Sequence, residues 1–460
     1  MKPVSVAQLV AATGGTLLQG DGAQLFTSVG SDSRRVAEGM LFVPIKGENA
    51  DGHRFVDMAL SAGAAGCICH QMPETMLEGK FYVLVKETRL ALKGLASWYR
   101  DQFDIPFVQI TGSVGKTTTK EMIASVLAQH YCVLKTDGNF NNDLGVPWTL
   151  LRLEDCHQAA VIETGMDRFG EIRYLGEMIR PDVAVISNIG EAHIEFLGSR
   201  EGILQAKCEI FDYLKKDGVA VLNGDDELLN TVQRDAELLR CGESEGCTVK
   251  VSQVRDLGLE GVDCRIESAG ESWDVHIPSP GRHMIYSASM AAVIGQRLGL
   301  TGEEIVRGIA AYEPAGSRMR VHRLYGRRMI LDDCYNASPK SVAGSLQVLK
   351  NTDCDRRVAV LGDMNELGEL TQQGHRDMGA LCGELGIDIL FAVGEKSRDM
   401  AAAAKEAGME DVRWFANKDR AMDQIAASLG ANTAMLIKAS HSLGFEEIVE
   451  KLIPKEGNED

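Results

Sequence analysis

Long apolar runs are absent from this chain of 460 residues, because no stretch reaches the length of about 18 residues that a bilayer-spanning helix needs. The first residues, Met1-Lys2-Pro3-Val4, lack the charged and then apolar layout of a secretory signal. Basic residues are also scarce, since 48 Lys and Arg stand against 66 Asp and Glu, for a formal net charge of -18. Without a basic stripe, a nucleic-acid partner is not expected. We therefore expect a cytoplasmic protein without a membrane span.

Cysteine spacing of the kind found in structural zinc modules is missing as well. The eleven cysteines are odd in number and scattered, a usage typical of reduced thiols in a reducing compartment. Cys67 and Cys69 lie one residue apart on an apolar segment, with no second pair at zinc spacing. We interpret these two cysteines as core residues.

The length of the chain predicts about three domains, which we place at residues 1–103, 104–314 and 315–460. The middle unit carries apolar strands without polar alternation, the pattern of a parallel sheet that is buried on both faces. Shorter alternating stretches at 245–277 predict hairpins at the edge of that sheet. The last unit again alternates strands and helices but has no G-x-G-x-x-G loop, which disfavours a dinucleotide site there. The predicted fold class is α/β.

A candidate phosphate-binding loop is the most informative stretch of the chain. It reads Gly112-Ser113-Val114-Gly115-Lys116-Thr117-Thr118. The loop follows a predicted strand at 105–110 and opens an amphipathic helix, so its N–H groups and the helix dipole can meet an anion. Lys116 would reach the terminal phosphates, and the Thr117 hydroxyl would sit on Mg2+. Ile110 replaces the leading glycine of the general pattern, and an ordinary strand-to-helix turn is the alternative.

Further polar side chains follow other predicted strands of the middle unit. Glu163 ends one strand, and its carboxylate together with Thr117 suits Mg2+. His193 follows another strand; it is either a softer metal ligand or a histidine satisfied at a helix start. Lys207 lies in a helical stretch, and two interpretations stay open. It is either a solvated lysine or, near two metal ions, a lysine carbamylated into a carboxylate-like ligand.

Taken in order, these segments resemble the Mur ligase family over nearly the whole chain. In the first unit the resemblance rests on Asp32-Ser33-Arg34, Gly39-Met40-Leu41-Phe42 and Asp51-Gly52-His53. In the middle unit it rests on the phosphate loop, Gly138-Asn139-Phe140-Asn141-Asn142, Glu163 with Gly165, Asn188-Ile189-Gly190 with Ala192-His193, Ala206-Lys207 with Glu209-Ile210, and Gly281-Arg282-His283. In the last unit it rests on Asp332-Asp333, Tyr335-Asn336-Ala337, Leu361-Gly362-Asp363-Met364 and Glu366-Leu367-Gly368. Each fragment is weak alone, but their order makes coincidence implausible.

The resemblance implies an ATP-dependent amide ligase that joins D-alanyl-D-alanine to UDP-N-acetylmuramoyl-tripeptide through an acyl phosphate. It implies an N-terminal UDP-substrate domain, a central P-loop ATPase domain and a C-terminal Rossmann-like domain, with ATP and two Mg2+ ions. Implied catalytic residues are Lys116, Glu163, His193 and Lys207, and implied metal ligands are Thr117, Glu163, His193 and carbamylated Lys207. Implied nucleotide contacts beyond the loop are Arg318, Tyr335 and Asn336, and implied substrate contacts are Ser33, Arg34, Asn142, Lys438 and Ser440. We expect a monomer.

The chain departs from the family pattern in two places. Met284 and Ser287 stand where the family often has Asn, which puts a nucleotide contact in doubt. The late motif, usually Lys-Gly-Ser-Arg, reads Lys438-Ala439-Ser440-His441, so that a permanent cation becomes an imidazole that titrates near neutral pH. We expect Lys438 and Ser440 to keep their roles and His441 to replace the arginine only in part.

Several other classes compete with this interpretation. The related ligase that adds the third peptide residue carries an Asp-Asn-Pro-Arg signature that is absent here, and a folylpolyglutamate-type ligase is a further alternative. A GTPase would need an Asn-Lys-x-Asp motif, and a DNA motor would need a less acidic surface. An inactive nucleotide-sugar-binding module would be expected to have lost Lys116, Glu163 or His193. The third peptide residue of the substrate, diaminopimelate or lysine, stays open.

Overall fold

Three β-sheets follow one another along the chain in a computed structural model that describes residues 1–47 and 50–453. They contain five, nine and six strands, and a two-stranded ribbon accompanies the first sheet. Helices cover the sheets, and most strands pair in parallel. The predicted α/β class is confirmed. The last residues of the third predicted unit, 454–460, lie outside the described part of the chain.

The first sheet is built from short strands in the order β2-β7-β6-β5-β4, with β2 antiparallel to β7 and the others parallel. Strand bounds are β1 Val4–Ser5, β2 Thr16–Gln19, β3 Leu25–Phe26, β4 Ser28–Gly30, β5 Met40–Phe42, β6 Gly66–Cys69 and β7 Phe81–Leu84. The helices are α1 Val6–Thr13, α2 Val56–Ser61 and α3 Thr88–Arg100. Cys67 and Cys69 are buried on β6, as expected of core residues. Strand β5 is shorter than its apolar run because Pro44 follows closely and lacks the N–H that a ladder needs.

The second sheet runs in the order β16-β15-β14-β13-β12-β11-β8-β10-β9. Its strands are β8 Phe107–Thr111, β9 Val133–Lys135, β10 Ala159–Glu163, β11 Val183–Ile186, β12 Val219–Asn223, β13 Glu237–Gly242, β14 Val249–Asp256, β15 Val262–Ser268 and β16 Glu271–Ile277. The helices are α4 Lys116–Leu127, α5 Gly145–Leu150, α6 Glu171–Ile179, α7 Ile194–Leu197, α8 Arg200–Cys208, α9 Met284–Arg297 and α10 Gly302–Ala310. The seven strands from β9 to β14 in the sheet order, which include β8, pair in parallel. The predicted hairpins β14 to β16 form the antiparallel edge.

The third sheet has the order β17-β18-β22-β19-β20-β21, parallel except at the β17 edge. Its strands are β17 Arg320–Leu324, β18 Arg328–Asp332, β19 Arg356–Gly362, β20 Ile389–Val393, β21 Asp411–Phe415 and β22 Thr433–Lys438. The helices are α11 Pro339–Asn351, α12 Thr371–Glu384, α13 Ser397–Glu406, α14 Lys418–Ser428 and α15 Glu446–Leu452. The residues of β21, at one sheet edge, are only half-buried and form no continuous apolar run.

The order of the second sheet decides where ligands can bind. Strand β8 lies between β10 and β11, although β9 follows β8 along the chain. Ile110 of β8 pairs with Glu163 of β10, and Thr111 pairs with Ile186 of β11. The carboxyl ends of these three strands therefore meet at a topological switch point, where open α/β sheets place their ligands. Within residues 1–47 and 50–453, no helix combines the length and the apolar character needed to cross a bilayer.

Helices α12 and α13 pack so closely at Gly379 that a larger residue should not fit there. A Cβ at Gly379 would lie 2.0 Å from the carbonyl oxygen of Met400. We expect Gly379→Ala to lower the free energy of unfolding by about 1 to 3 kcal/mol, because the helices must separate to admit the methyl group. Urea unfolding measures the change. Gly430→Ala is the control, since its nearest neighbour would be Thr433 Oγ1 at 3.8 Å. Equal unfolding midpoints for the two variants would contradict this packing.

Candidate active site

A cavity of about 1300 Å3 opens above the switch point and is lined by side chains from all three sheet-bearing units. The second unit supplies the phosphate loop, Glu163 and His193. Arg89 enters from the first unit and Tyr335 from the third. The lining also includes the following candidate residues: Ser113, Val114, Gly115, Lys116, Thr117, Thr118, Asn142, Arg318, Asn336 and Lys438. The structure thus brings most of the sequence-derived candidates to one place.

The end of β11 braces the phosphate loop. Asn188 accepts a hydrogen bond from the Val114 N–H at 3.0 Å and donates its amide to the Val114 carbonyl at 2.8 Å. Ser187 Oγ donates to the same carbonyl at 2.7 Å. The Gly190 N–H donates to Ser113 Oγ at 2.9 Å. The loop is therefore held by side chains that the sequence analysis gave no role, because their contact depends on the pairing of β8 with β11.

Two features of the loop prepare it for an anion. Gly112 has a φ of 153° and lies against β11, where an added Cβ would come within 1.9 Å of Ser187 Oγ. Only glycine permits this approach. The Lys116 ammonium, with no carboxylate within ion-pair distance among the described residues, donates to the Gly112 carbonyl at 2.8 Å. Desolvation lowers the pKa of Lys116, while Glu163 nearby opposes that shift. The Lys116 ammonium therefore lies against the backbone of the phosphate loop.

Glu163 is a buried carboxylate with a partner on each oxygen; its side chain is 2% exposed. Thr117 Oγ1 donates to Oε2 at 2.8 Å, and the Asn141 amide donates to Oε1 at 3.0 Å. The fully buried Lys120 ammonium lies 3.9 Å from Oε2 and donates to the Thr136 carbonyl at 2.6 Å. The adjacent Thr117 and Glu163 oxygens form a hard donor pair of the kind that Mg2+ prefers.

His193 joins the second and third units. Its Nδ1 lies 2.9 Å from Glu366 Oε2 and 3.1 Å from Asp167 Oδ1. Neither approach has hydrogen-bond direction, so among the described residues this buried nitrogen has two carboxylates nearby but no hydrogen-bond partner. The His193 contact lowers the pKa of Glu366. His193 also has a φ of 65°, which marks a constrained backbone at this strand end.

Lys207 is buried, with only 1% of its surface exposed. This burial rules out the alternative of a solvated lysine. Desolvation, with a further contribution from the charge of Lys116, lowers the pKa of Lys207 well below its usual value. No hydrogen bond or ion pair reaches its ammonium from the described residues. Lys207 is not among the residues that line the cavity.

The third unit contributes a stacked group and a braced lysine. Tyr335 lies between the Arg318 guanidinium, 3.5 Å from the ring centre, and the His441 ring at 5.4 Å. Lys438 is 3% exposed and donates to Asp333 Oδ2 at 2.5 Å and to the Asn336 carbonyl at 2.9 Å. This lysine therefore holds the segment that carries Tyr335 and Asn336.

Three of the candidate substrate contacts lie outside the cavity lining. Arg34 is exposed and pairs with its neighbour Asp32 at 2.9 Å, and Ser33 lies beside it. Ser440 is buried, and its Oγ accepts the Asn365 N–H at 2.9 Å. Asn142, by contrast, lines the cavity and accepts the Gly145 N–H at 2.8 Å, at the start of α5.

The departures from the family pattern also have defined surroundings. Ser287 Oγ lies 2.9 Å from Thr119 Oγ1, and both Ser287 and Met284 line the cavity. Ala439 is fully buried, and a Cβ at Gly362 would come within 2.6 Å of the Ala439 Cβ. His441 exposes 66% of its side chain and stacks on the Tyr335 ring.

Three family models match the chain in succession: a Mur ligase family catalytic domain at residues 25–100, a Mur ligase middle domain at 110–295 and a Mur ligase glutamate ligase domain at 317–441. The chain belongs to the Mur ligase family.

Individual relatives sharpen this assignment. The chain is 35% identical to the UDP-N-acetylmuramoyl-tripeptide--D-alanyl-D-alanine ligase of Bacillus subtilis (strain 168), over 92% of this chain and 93% of that protein. Its fold is similar to that of MurF from Acinetobacter baumannii, with a TM-score of 0.90 and 32% identity over 98% and 99% of the two chains. It is also similar to the MurF ligase of Thermotoga maritima in complex with ADP, with a TM-score of 0.82 and 28% identity over 92% and 96%.

The contact between Gly112 and Ser187 predicts how a small change would affect nucleotide binding. We expect Gly112→Ala to weaken ADP binding roughly 10-fold to 100-fold, because relieving the clash of the methyl group costs about 1 to 3 kcal/mol of loop geometry. Titration calorimetry measures the affinity. Gly246→Ala is the matched control, since a Cβ there meets no atom within 4 Å. Unchanged ADP affinity in Gly112→Ala would show that the loop does not need this close approach.

Proposed function

We propose that this chain is an ATP-dependent ligase that joins D-alanyl-D-alanine to UDP-N-acetylmuramoyl-tripeptide in peptidoglycan precursor synthesis. The observation that carries the proposal is one cavity in which a phosphate loop, a buried oxygen pair and side chains of all three units converge. The near full-length similarity to ligases of this name supports the same activity. The ligase that adds the third residue is not favoured, nor is a folylpolyglutamate-type enzyme.

The proposed reaction has two steps. The carboxylate of the tripeptide attacks the γ-phosphate of ATP, which forms an acyl phosphate and releases ADP. The amine of D-alanyl-D-alanine then attacks the acyl carbon, the amide bond forms, and inorganic phosphate leaves as the amine loses its proton. The first step brings two anions together, and the second releases an anionic phosphate, so the Lys116 ammonium is needed where negative charge develops.

Two Mg2+ ions are part of the proposal, and the donor set of the site fits them. Thr117 and Glu163 would hold one ion through hard oxygens. His193 and carbamylated Lys207 would hold the other. The Nδ1 of His193, buried without a directed hydrogen bond among the described residues, is consistent with a metal-binding role. When bound, the ions would supply positive charge to the phosphate oxygens.

Burial of Lys207 supports its carbamylation. A lysine whose pKa is lowered keeps a larger fraction of neutral amine, and the neutral amine is the form that adds to carbon dioxide. The carbamate would place a negative charge on the Lys207 side chain. An added anion beside the Lys116 ammonium would relieve the like-charge contact between the two lysines.

The remaining roles follow the three units. Loop residues Gly112 to Thr118 would bind the ATP phosphates, with Arg318, Tyr335 and Asn336 contacting the nucleotide from the third unit. Ser33, Arg34, Asn142, Lys438 and Ser440 would serve the peptide and sugar-nucleotide substrates, the buried Lys438 and Ser440 by holding neighbouring segments. The domain boundaries after residues 103 and 314, the monomeric state and the cytoplasmic location stay predictions.

Phosphate release from ATP tests the activity. We expect release only when UDP-N-acetylmuramoyl-tripeptide and D-alanyl-D-alanine are both present, because the second step needs both. Lys116→Met should lower the turnover by about 100-fold or more, since it removes a cation aimed at developing charge. Lys405→Met, an exposed lysine on α13, is the control. Release with ATP alone would favour a simple nucleotidase. Release with the dipeptide precursor and a diamino acid would favour the third-residue ligase.

Carbamylation of Lys207 has its own readout. In protein equilibrated with carbon-13 bicarbonate, we expect one carbamate carbonyl resonance that is absent from Lys207→Gln. The same spectrum of Lys405→Met should keep the resonance. If the wild-type protein gives no carbamate signal under conditions in which it turns over, the second metal ligand is an unmodified group and this part of the proposal is wrong.

A further inference from the structure

Two thiols and an imidazole converge at a place that the proposed reaction does not use. The ligand atoms of Cys132, Cys156 and His157 all lie within 4.8 Å of one another. Cys132 and Cys156 are exposed, and His157 is half-buried. None of the three lines the cavity above the phosphate loop. Among the described residues, this is the one cluster of at least three His, Cys, Asp or Glu side chains at such spacing.

Strand pairing fixes the distance between the two thiols. Cys132 directly precedes β9, and Gln158 directly precedes β10. The Gln158 N–H donates to the Cys132 carbonyl at 2.8 Å, and the Gln158 side chain accepts the Cys132 N–H at 3.0 Å. The parallel register then continues with Val133 opposite Ala159. The approach of the thiols is therefore built into the edge of the second sheet.

A tight turn orients the imidazole. The Glu154 N–H donates to His157 Nδ1 at 2.9 Å, and the His157 N–H donates back to the Glu154 carbonyl at 3.0 Å. This turn holds the ring beside the two thiols, where one of its nitrogens lies within reach of a shared ion.

We propose that Cys132, Cys156 and His157 bind one Zn2+ ion, with water completing a tetrahedral set. Thiolate and imidazole ligands are those that select zinc, whereas Mg2+ takes oxygen ligands. The oxygen pair of Thr117 and Glu163 and this thiol-imidazole cluster therefore differ in the metal they prefer. The two sites need not compete for one ion.

The surroundings of the cluster indicate what the ion would do. The loop that carries Cys156 also receives the start of the chain, where Lys2 Nζ lies 2.6 Å from Asp155. Tyr99 of the first unit donates to the Leu153 carbonyl in the same loop at 2.8 Å. An ion held by Cys132 and Cys156 would tie this docking loop to the sheet. Its expected effect is on the stability of the junction between the first two units, and not on turnover.

Cobalt spectroscopy tests the site in the full-length, reduced protein. With Mg2+ saturating, one equivalent of Co2+ should give the thiolate-to-metal absorption of a tetrahedral site, and Zn2+ should displace it. Cys132→Ser and Cys156→Ser should each lower the Zn2+ affinity by at least about tenfold. Removing a group that only hydrogen-bonds to a metal ligand already costs about that much, and these substitutions remove a ligand itself. Cys354→Ser, a half-buried thiol of the third unit, is the matched control.

Thermal unfolding gives a second readout. Zn2+ should raise the Tm of the wild type and of Cys354→Ser, and should not raise that of Cys132→Ser or Cys156→Ser, because only a bound ion stabilises the folded state. His157→Gln should lower the affinity while leaving both thiols in place. Absorption or Zn2+ affinity that is the same in the two cysteine variants as in the wild type would overturn the proposal. A Cys132–Cys156 disulfide that forms in place of metal uptake would overturn it as well.

Discussion

A carboxylate that is almost fully removed from water places the strongest physical demand on this structure. Burying an ionised Glu163 is costly unless both of its oxygens have partners. Those partners come from two separate elements: Thr117 and Lys120 lie about one turn apart on α4, and Asn141 lies in the loop before α5. The pairing of β8 with β10 brings the elements together. If the register of these two strands changed, the carboxylate would lose its partners, so the site and the sheet specify each other.

The two buried lysines of the second unit differ in how their charge is met. Lys120 has a carbonyl and two carboxylates around its ammonium. Lys207 has no such partner among the described residues, and its charged form is opposed both by burial and by Lys116. A buried ionisable group with a strongly shifted pKa and no charge partner is typical of functional positions, because such a group lowers stability and is retained for its chemistry. The contrast therefore separates a structural lysine from a functional candidate on physical grounds.

The sequence was sufficient for those parts of the molecule that depend on local pattern. Continuous apolar runs identified β10 and β12, and the change to alternation identified the antiparallel edge. The loop motif located Lys116 and Thr117 at a helix start. Contacts between distant segments could not be predicted, because nothing local distinguishes Lys120 from other charged residues and the motif around Glu366 does not reveal its contact with His193. The same holds for Cys132 and Cys156, whose approach depends on which strand pairs with β9.

The contact of His193 with Glu366 ties the occupancy of the site to the position of the third unit. Gly368 packs against Glu195 a few residues further on, so the two segments meet along a continuous seam. A molecule in which the second and third units have separated at that seam presents only part of the cavity wall. The apparent affinity for a ligand that touches both sides is reduced by the fraction of molecules that are docked. A substitution on the seam would thus scale the apparent affinities of such ligands by one common factor, while ligands confined to a single unit would not sense it.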